Sequence, residues 1–318
     1  MAKRRDELAG LDRVFAQLAD ATPGLHDLEA PAPVLPDGLP EPLIELYAHC
    51  DGARLFHDGV ELLAARDVET DDDGRAKFAL LEGEPVGLDD RGRVWRADAS
   101  LDDVVCEGTR LDRWIAGVVD AIGLLYDFDG EFEDGIFDED GELLPAIAEK
   151  QLRAQLKRDP RAPGARWRLA HALLAQDQFD PGRHELEEVV QHEPSFAWAW
   201  LDLARLSERS GELAGAVDEA RAGAEAATAA GHGQAGYFWA QLARIAVLAN
   251  DDVARAGAAK RATELAPGMK RDQLAGAKDS LAAGDTDSAR GLMALLKAVW
   301  PRDLEVLALD REIKNTGQ

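Results

Sequence analysis

The sequence predicts an α+β domain in the N-terminal part of the chain and an all-α helical-repeat solenoid in the C-terminal part. Short β-type segments, split by turn signals rich in Asp and Gly, fill residues 53–98 and are flanked by amphipathic helical segments. Beyond residue 143, alanine and leucine dominate, and glycine or proline recurs at intervals. A recurring unit of two helices is typical of a solenoid, so the chain combines two fold classes.

The composition restricts the function that the chain can serve. Its 318 residues suffice for two domains, and 46% of them are hydrophobic, enough for packed cores. The net charge of −25 disfavours nucleic acid and membranes as partners, since binding to their phosphates needs a basic surface. Cys50 and Cys106 form no metal or disulfide pattern, and the basic N-terminus is not followed by an apolar segment. We therefore expect a cytoplasmic protein.

Residues 1–37 are predicted to form an N-terminal helix and a proline-rich linker. The helix follows from apolar residues at helical spacing, namely Leu8, Leu11, Val14, Phe15 and Leu18. Six prolines then lie between positions 23 and 42. Because proline fixes φ and lacks a backbone donor, this part favours a semi-rigid linker or an extended strap over a helix or a central strand.

Residues 38–126 are predicted to form the α+β domain. A short helix in PLIELYAHC ends at Asp51 and Gly52, and short strands follow in ARLF, VELLA, KFALL, EPVGLD and RVWRA. The segment TRLDRWIAGVVDAIGLLYD is amphipathic and predicts a second helix, with Thr109 as its N-cap.

Short motifs of this domain resemble the SMI1/KNR4 family, also called the SUKH superfamily. They lie in LPEPLIELYAHCDGARLF, VGLDDRGRVWRAD and EGTRLDRWIAGVVD, and the matching residues are Leu39, Pro40, Tyr47, Cys50, Asp51, Gly52 and Trp114. The resemblance implies an α+β domain without catalytic residues. Many bacterial members are immunity proteins that bind and neutralise toxins, often nucleases, and other members are regulatory interaction modules.

Residues 127–142 are predicted to be an acidic linker. The run DFDGEFEDGIFDEDG holds eight acidic and no basic residues. An EF-hand calcium loop needs ligands at positions 1, 3 and 5, glycine at 6 and glutamate at 12. Neither this run nor ETDDDGRAKFAL, whose twelfth residue is Leu80, fits that frame. A solvated linker is therefore favoured over a calcium site, and no metal is expected.

Residues 143–318 resemble tetratricopeptide (TPR) repeats, which are helix pairs with a period of about 34 residues. The matching residues are Trp200, Leu203, Ala204, Gly211, Ala216, Trp239, Leu242, Ala243 and Pro267. The pattern departs from the family where Ser207 and Ala246 replace tyrosine, and where two copies start 39 residues apart. Three to four repeats are predicted, the last in LAGAKDSLAAGDTDSARGLMALLKAVWP. Capping helices are expected in ELLPAIAEKQLRAQLKRDP and RDLEVLALDREI, since an open stack end needs a polar face.

One helix face of these repeats is predicted to line a concave groove. The residues on this face are Trp167, His171, Trp198, Arg205, Arg209, Tyr237 and Arg244. Arginine pairs with carboxylates, and aromatic residues are common interface anchors, so an acidic or C-terminal peptide is the expected ligand. Binding of the chain's own acidic run is a sharper variant, and an ordinary amphipathic surface is the alternative. Helical spacing places Trp200 in the repeat core and Trp198 on the exposed face.

The predicted function is non-catalytic protein binding. The sequence contains no metal-binding histidine spacing, phosphate-binding glycine loop or nucleophile elbow. His49, Cys50 and His57 are close in sequence, but no third group orients them as a thiol–imidazole pair. We expect no cofactor and a protein partner, which the SMI1/KNR4 resemblance suggests is a toxin. An immunity or regulatory module is the first hypothesis, and an assembly scaffold or adaptor in a multiprotein complex is the alternative.

Overall fold

The structure is a computed structural model that describes the backbone of residues 2–316 and the side chains of residues 10–315. The chain divides into two compact units, residues 1–185 and residues 186–318. Both predicted fold classes are present, since the first unit contains an antiparallel sheet and a long run of helices follows it. Among the described residues, no helix combines the length and the apolar character needed to cross a bilayer.

All strands of the first unit belong to one antiparallel sheet. The strands are β1 (His26–Leu28), β2 (Ala53–Leu55), β3 (Val60–Leu62), β4 (Glu69–Thr70), β5 (Ala76–Leu81), β6 (Glu84–Leu88), β7 (Val94–Asp98) and β8 (Asp103–Gly108). Their order is β1-β2-β3-β5-β6-β7-β8, and β4 pairs with β5 outside this path. Short connections join most neighbouring strands, as an antiparallel sheet allows.

Along the chain, α1 precedes the strands, α2 lies between β1 and β2, and the remaining helices follow β8. They are α1 (Ala2–Ala19), α2 (Glu41–Tyr47), α3 (Leu111–Ile122), α4 (Pro145–Arg158), α5 (Pro163–Leu174), α6 (Phe179–His192), α7 (Ala197–Arg209), α8 (Leu213–Ala229), α9 (Ala235–Leu248), α10 (Asp252–Leu265), α11 (Met269–Ala282), α12 (Thr286–Val299) and α13 (Leu304–Thr316). The predicted second helix of the α+β domain and the predicted closing helix correspond to α3 and α13.

The N-terminal residues are part of the sheet domain, in contrast to the separate helix and linker predicted for residues 1–37. Leu11, Val14 and Leu18 of α1 are buried in the same core as the strands, while the side chain of Leu8 lies outside the described residues. Strand β1 lies inside the predicted linker and pairs with β2. The prolines flank this strand without interrupting it, so its backbone donors stay available.

Thr109 makes a different contact from the predicted N-cap. Arg110 precedes α3 and makes no capping hydrogen bond through its side chain. The backbone N–H and the hydroxyl of Thr109 each donate to a carboxylate oxygen of Asp159, both at 2.6 Å. Asp159 is buried just after α4. An ionised acceptor forms a stronger hydrogen bond than a neutral one, which accounts for the preference.

The acidic run 127–142, the predicted solvated linker, is mostly exposed and forms two ordered turns. Each turn begins with an aspartate, Asp127 or Asp138, whose carboxylate accepts the backbone N–H groups two and four residues further along at 2.9–3.1 Å. The glycine at the fourth position has a φ of +83° in both turns, a value that favours glycine. Isolated β-bridges, Tyr126–Phe132 and Phe137–Leu143, close the turns. Aspartate followed by glycine is the sequence signal of such turns.

Helices α4 and α5 pack within the first unit, although the sequence assigned them to the solenoid. Gly117 of α3 lets α4 approach closely, because an added Cβ would lie 3.2 Å from Cα of Gln155. Gly164 likewise lets α5 approach β8 closely, because an added Cβ would lie 2.9 Å from the carbonyl oxygen of Cys106. The guanidinium of Arg168 on α5 pairs with the buried Glu107 of β8.

The helices of the second unit pack through small side chains. Ten of the 16 buried residues in its larger core are alanines, so neighbouring helices can approach closely. Helix α12 lies against α9 and α10 through Leu295, Ala298 and Val299. In a regular stack of helix pairs, the next helix along the chain, α11, would lie there. Because α12 carries apolar residues on two faces, it also packs through Met293 and Leu296 into a second core with α11 and α13.

Candidate protein-binding surface

The predicted groove residues belong to both units. Trp167 and His171 lie on α5 in the first unit, and the other five lie on α7 and α9 in the second. Trp167 is buried, and its ring lies 4.6 Å from the ring of the exposed His171 in an edge-to-face arrangement. These two residues are neighbours on one helix face, four positions apart. Their role in binding stays a prediction.

Trp198 of α7 is buried, which corrects the expectation that its side chain is exposed. It is 8% exposed because rings from the following helix pair cover it. Ring centres of Phe238, Tyr237 and His232 lie 4.8, 6.2 and 6.1 Å from its own. Helical spacing gave the face of α7 on which Trp198 lies, but it could not show which residues cover that face.

Trp200, which was expected in the repeat core, is half-buried between the two helices of its own pair. A Cβ added at Gly223 of α8 would lie 3.0 Å from Cβ of Trp200. The indole N–H of Trp200 donates to the carbonyl oxygen of Pro194 at 3.0 Å. Trp200 therefore fixes the packing of α7 on α8 while part of its side chain stays accessible.

Polar side chains of α7 and α9 form one hydrogen-bonded network, which we call the α7/α9 surface. Its members are Asp202, Arg205, Glu208, Tyr237, Gln241 and Arg244. On each helix they lie three or four positions apart and therefore share one face. The three predicted residues of this network are thus brought together, and three further polar residues join them.

The hydroxyl of Tyr237 links the two helices of this surface. It accepts a hydrogen bond from Nε2 of Gln241 at 2.8 Å, and Nη2 of Arg205 lies 3.5 Å away. Nη1 of Arg205 donates to the buried carboxylate of Asp202 at 2.9 Å. The side chain of Arg205 is nevertheless 45% exposed, so a ligand can reach its guanidinium.

Arg244 is already paired with a carboxylate, which corrects its expected role as an open cation. Its Nη1 and Nη2 donate to the two carboxylate oxygens of Glu208 at 2.8 and 2.7 Å. Its Nε donates to Oε1 of Gln241 at 2.9 Å. A bidentate pair of this kind fixes both side chains in one geometry. The surface is therefore rigid and of mixed charge.

The ends of α7 and α9 add further groups beside this network. Arg209 is exposed in the last turn of α7, where the helix dipole favours a cation. Val247 and Leu248, in the last turn of α9, are 47% and 45% exposed. Apolar and charged groups are thus both accessible at this end of the helices.

Asp202 and Gln241 are members of the network that the sequence reasoning did not assign to the site. Both occur at the third position of a repeated pattern, WLDLAR from Trp200 and WAQLAR from Trp239. In each copy the polar residue lies three positions before the arginine, within reach on the same helix face. This repeated spacing is the signal that would have identified them.

In the first unit, the residues that carry the family resemblance hold the backbone in place. Oδ1 of Asp51 accepts the backbone N–H of Ala65 at 2.8 Å, and Gly52 has a φ of +110°. The hydroxyl of Tyr47 donates to the carbonyl oxygen of Leu63 at 3.0 Å. These contacts stabilise the turn between α2 and β2.

The thiol of Cys50 is held in its protonated form. Burial raises its pKa to about 11, so the thiolate is scarce at neutral pH. The ring of His49 stacks on Phe15 with centres 4.7 Å apart. Nε2 of His57 forms a hydrogen bond with the carbonyl oxygen of Gly130 at 3.1 Å. Both imidazoles near Cys50 in sequence thus make other contacts.

In the segment ETDDDGRAKFAL, two of the carboxylates that could serve a calcium loop, Asp71 and Asp73, make contacts within the protein. Oδ1 of Asp71 accepts the backbone N–H groups of Asp73 and Arg75 at 3.0 and 2.8 Å. The guanidinium of Arg75 pairs with both aspartates. Within the described residues, no group of three or more His, Cys, Asp or Glu side chains is placed to hold a metal ion.

Comparison with known proteins relates the chain to TPR proteins through its C-terminal part. No family model matches it, and no curated protein matches it by sequence, so neither comparison supports the SMI1/KNR4 resemblance. The TPR protein TTC0263 of Thermus thermophilus is 19% identical over 54% of this chain and 91% of its own, with a TM-score of 0.34. The pilF protein of Pseudomonas aeruginosa is 14% identical over 53% and 90%, with a TM-score of 0.32.

A third similar structure is YrrB, described as a TPR protein with an unusual peptide-binding site. It is 11% identical over 63% of this chain and 91% of its own, with a TM-score of 0.35. All three TM-scores are low. The TPR-like character of the C-terminal part therefore rests on its own succession of helix pairs and on their packing.

Proposed function

We propose that the chain is a non-catalytic protein-binding module that holds a peptide segment on the α7/α9 surface. The observation that supports this function is the network that joins Arg205, Tyr237, Gln241 and Arg244 across two neighbouring helices. Because hydrogen bonds fix these side chains in advance, a ligand loses less free energy in ordering them.

The charge of this surface favours a ligand with a single carboxylate, such as the C-terminus of a peptide. Arg205 is accessible and uses part of its guanidinium for Asp202, while Arg244 is neutralised by Glu208. A run of acidic residues would meet these two carboxylates and be repelled. A peptide fits this surface better than an acidic run if its single carboxylate binds Arg205 and its apolar side chains pack near Val247 and Leu248.

The test is capture of partners from a native extract by the intact chain, followed by mass spectrometry. Replacing Arg205 and Arg244 by glutamate should reduce capture by about tenfold or more, because the first change removes the accessible cation and the second breaks the Arg244–Glu208 pair that orders the surface. Arg221→Glu on α8 is the matched control, because Arg221 makes only an exposed ion pair with Asp218. Undiminished capture by a folded double variant would remove the α7/α9 surface from consideration.

For the first unit we propose an SMI1/KNR4-like module of the immunity or regulatory type, with a toxin as its partner. Support comes from Tyr47, Asp51 and Gly52, which match the family motif and serve the backbone of the sheet domain. Cys50 and Cys106 are both buried and outside any disulfide, a state that suits the cytoplasm. Co-expression with the product of a neighbouring gene tests this role, since an immunity protein should rescue growth.

A scaffold or adaptor in a multiprotein complex is the second candidate function. The observation that favours it is the second unit itself, where helix pairs present the exposed side chains of α7 and α9 side by side. Capture of several proteins of one complex, without growth rescue, would decide for the scaffold.

A further inference from the structure

Aromatic side chains lie exposed on the acidic run 127–142 of the first unit. Phe128 is 100% exposed, and Phe132 and Phe137 are 50% and 39% exposed. Leu124, just before the run, is 50% exposed. We call these four residues the aromatic ridge. Large apolar side chains exposed along one short acidic segment are typical of an interaction site.

The ridge is held in place by contacts within the first unit. The ring of Phe132 stacks on Tyr126 at 4.7 Å and meets Phe137 edge-on at 5.2 Å. The hydroxyl of Thr22 donates to the carbonyl oxygen of Phe128 at 2.9 Å. Between the two turns, Ile136 is buried. An aromatic side chain presented on a fixed backbone loses little further entropy on binding, as an interface anchor requires.

The charge around the ridge selects the partner. The chain has no lysine or arginine between Arg113 and Lys150, and eight acidic residues lie within residues 127–141. Most of these carboxylates are exposed. Nucleic acid and anionic membranes are repelled by such a surface, and so is a second copy of this chain, which carries a charge of −25. A positively charged protein segment is attracted to it.

We propose that the aromatic ridge binds a segment of a partner protein rich in lysine or arginine, with an apolar side chain that packs against Phe128. The acidic residues bring the partner to the surface and orient it, and the exposed phenyl rings supply the apolar contact. Lysine and arginine side chains can also pack their apolar stems and charged heads against aromatic rings.

The test uses the full-length chain and three fluorescent peptides: alternating lysine and leucine, alternating lysine and serine, and alternating glutamate and leucine. We expect the lysine/leucine peptide to bind most tightly by fluorescence anisotropy. Phe128→Ser should weaken this binding by about fivefold or more, because it removes the most exposed ring of the ridge. Val34→Ser is the matched control, since Val34 is also exposed, at 82%, but lies outside the ridge.

A second variant separates the contribution of charge. It combines Glu131→Gln, Glu133→Gln, Asp134→Asn and Glu139→Gln, none of which accepts the hydrogen bonds that form the two turns. It should weaken binding and also reduce the loss of affinity on adding salt. The Arg205→Glu/Arg244→Glu variant should bind the peptide normally, so this proposal and the one for the α7/α9 surface can fail separately.

Four outcomes would overturn the proposal. They are absence of binding by the wild-type chain, equal binding of the lysine/serine peptide, unchanged affinity in Phe128→Ser, and a self-associated wild-type chain that Phe128→Ser dissociates. The second would reduce the effect to charge alone, and the last would make a second copy the occupant. Because the Phe128 side chain is fully exposed, circular dichroism should show an unchanged fold in Phe128→Ser.

Discussion

At the scale of single residues, three consecutive residues of the loop after β2 have an unusual backbone conformation. Phe56, His57 and Asp58 have φ values of 56°, 54° and 130°, a region that non-glycine residues rarely adopt. The backbone N–H of Phe56 donates to Nδ1 of His26 at 3.1 Å, and the hydroxyl of Tyr126 donates to the carbonyl oxygen of Phe56 at 3.2 Å. These contacts hold the strained loop.

The role of His26 in this loop predicts a pH dependence of stability. Burial lowers the pKa of His26, and the neighbouring His57 lowers it further. The unfolded chain therefore binds a proton at His26 more readily than the folded chain does. The contribution of His26 to the free energy of unfolding is present above the pKa that His26 has in the unfolded chain, and it is lost as the pH falls from there to the pKa in the folded chain. A protonated Nδ1 also cannot accept the N–H of Phe56.

Urea unfolding at about pH 7.5 and about pH 5.5 measures this effect. His26→Asn keeps an acceptor oxygen near the position of Nδ1 but does not titrate, so its free energy of unfolding should fall less than that of the wild type between the two pH values. If the free energy of unfolding fell by the same amount in both proteins, groups other than His26 would cause the pH dependence.

At the scale of elements, helix packing in the second unit depends on glycines at close approaches. Gly223 of α8 faces Trp200, and an added Cβ would also lie 3.2 Å from the carbonyl oxygen of Ala197. Gly257 of α10 is exposed and has no atom within 4 Å of such a Cβ. The same substitution therefore has opposite consequences at the two positions.

Gly257→Ala should stabilise the chain by about 0.5–1 kcal/mol, because alanine has the higher helix propensity. Gly223→Ala gains the same propensity but forces α7 and α8 apart, and overpacking typically costs about 1–3 kcal/mol, so a net destabilisation is expected. Thermal unfolding followed by circular dichroism compares them. A stabilised Gly223→Ala variant would show that the α7–α8 contact adjusts freely.

Elements with a strong pattern were predictable from the sequence, and those defined by their neighbours were not. The strands in KFALL and RVWRA and the helix α3 carry enough apolar periodicity to be identified. Strand β1 has only three residues and strand β4 only two, and each is defined by its pairing with a neighbour, β1 with β2 and β4 with β5. The central position of α12 follows from competition between helices for contact area, which no local pattern encodes.

In the candidate site, too, some features were predictable from the sequence and others depend on packing. The arginines and aromatic residues of α7 and α9 were found by comparing repeats, since equivalent positions share a face. The pairing of Arg244 with Glu208 joins residues 36 positions apart, so their meeting depends on how α9 packs beside α7. Repeat spacing thus predicts which residues share a surface, but not which of their charges neutralise one another.

At the scale of the whole molecule, the division into two units differs from the division that composition suggests. The repetitive composition begins near residue 143, whereas the first compact unit extends to residue 185. An ion-pair cluster explains why α5 belongs with the sheet. Arg168 of α5 pairs with Glu107 of β8 and donates to Asp98 of β7 at 3.2 Å. Glu107 is 2% exposed, so solvent cannot replace its partner.

Glu107→Ala should lower the free energy of unfolding of the first unit by about 2–3 kcal/mol, because it removes a buried charged hydrogen bond. Glu82→Ala is the matched control: its pair with Arg96 involves a glutamate that is 69% exposed, and its loss should cost about 1 kcal/mol or less.

Hydrogen exchange of the Glu107→Ala variant, followed by mass spectrometry, should show faster exchange in β8, α4 and α5 together. Helices α8 to α10 should keep their protection. If α4 and α5 instead exchanged with α8 to α10 while the sheet stayed protected, the boundary near residue 143 would be the correct one.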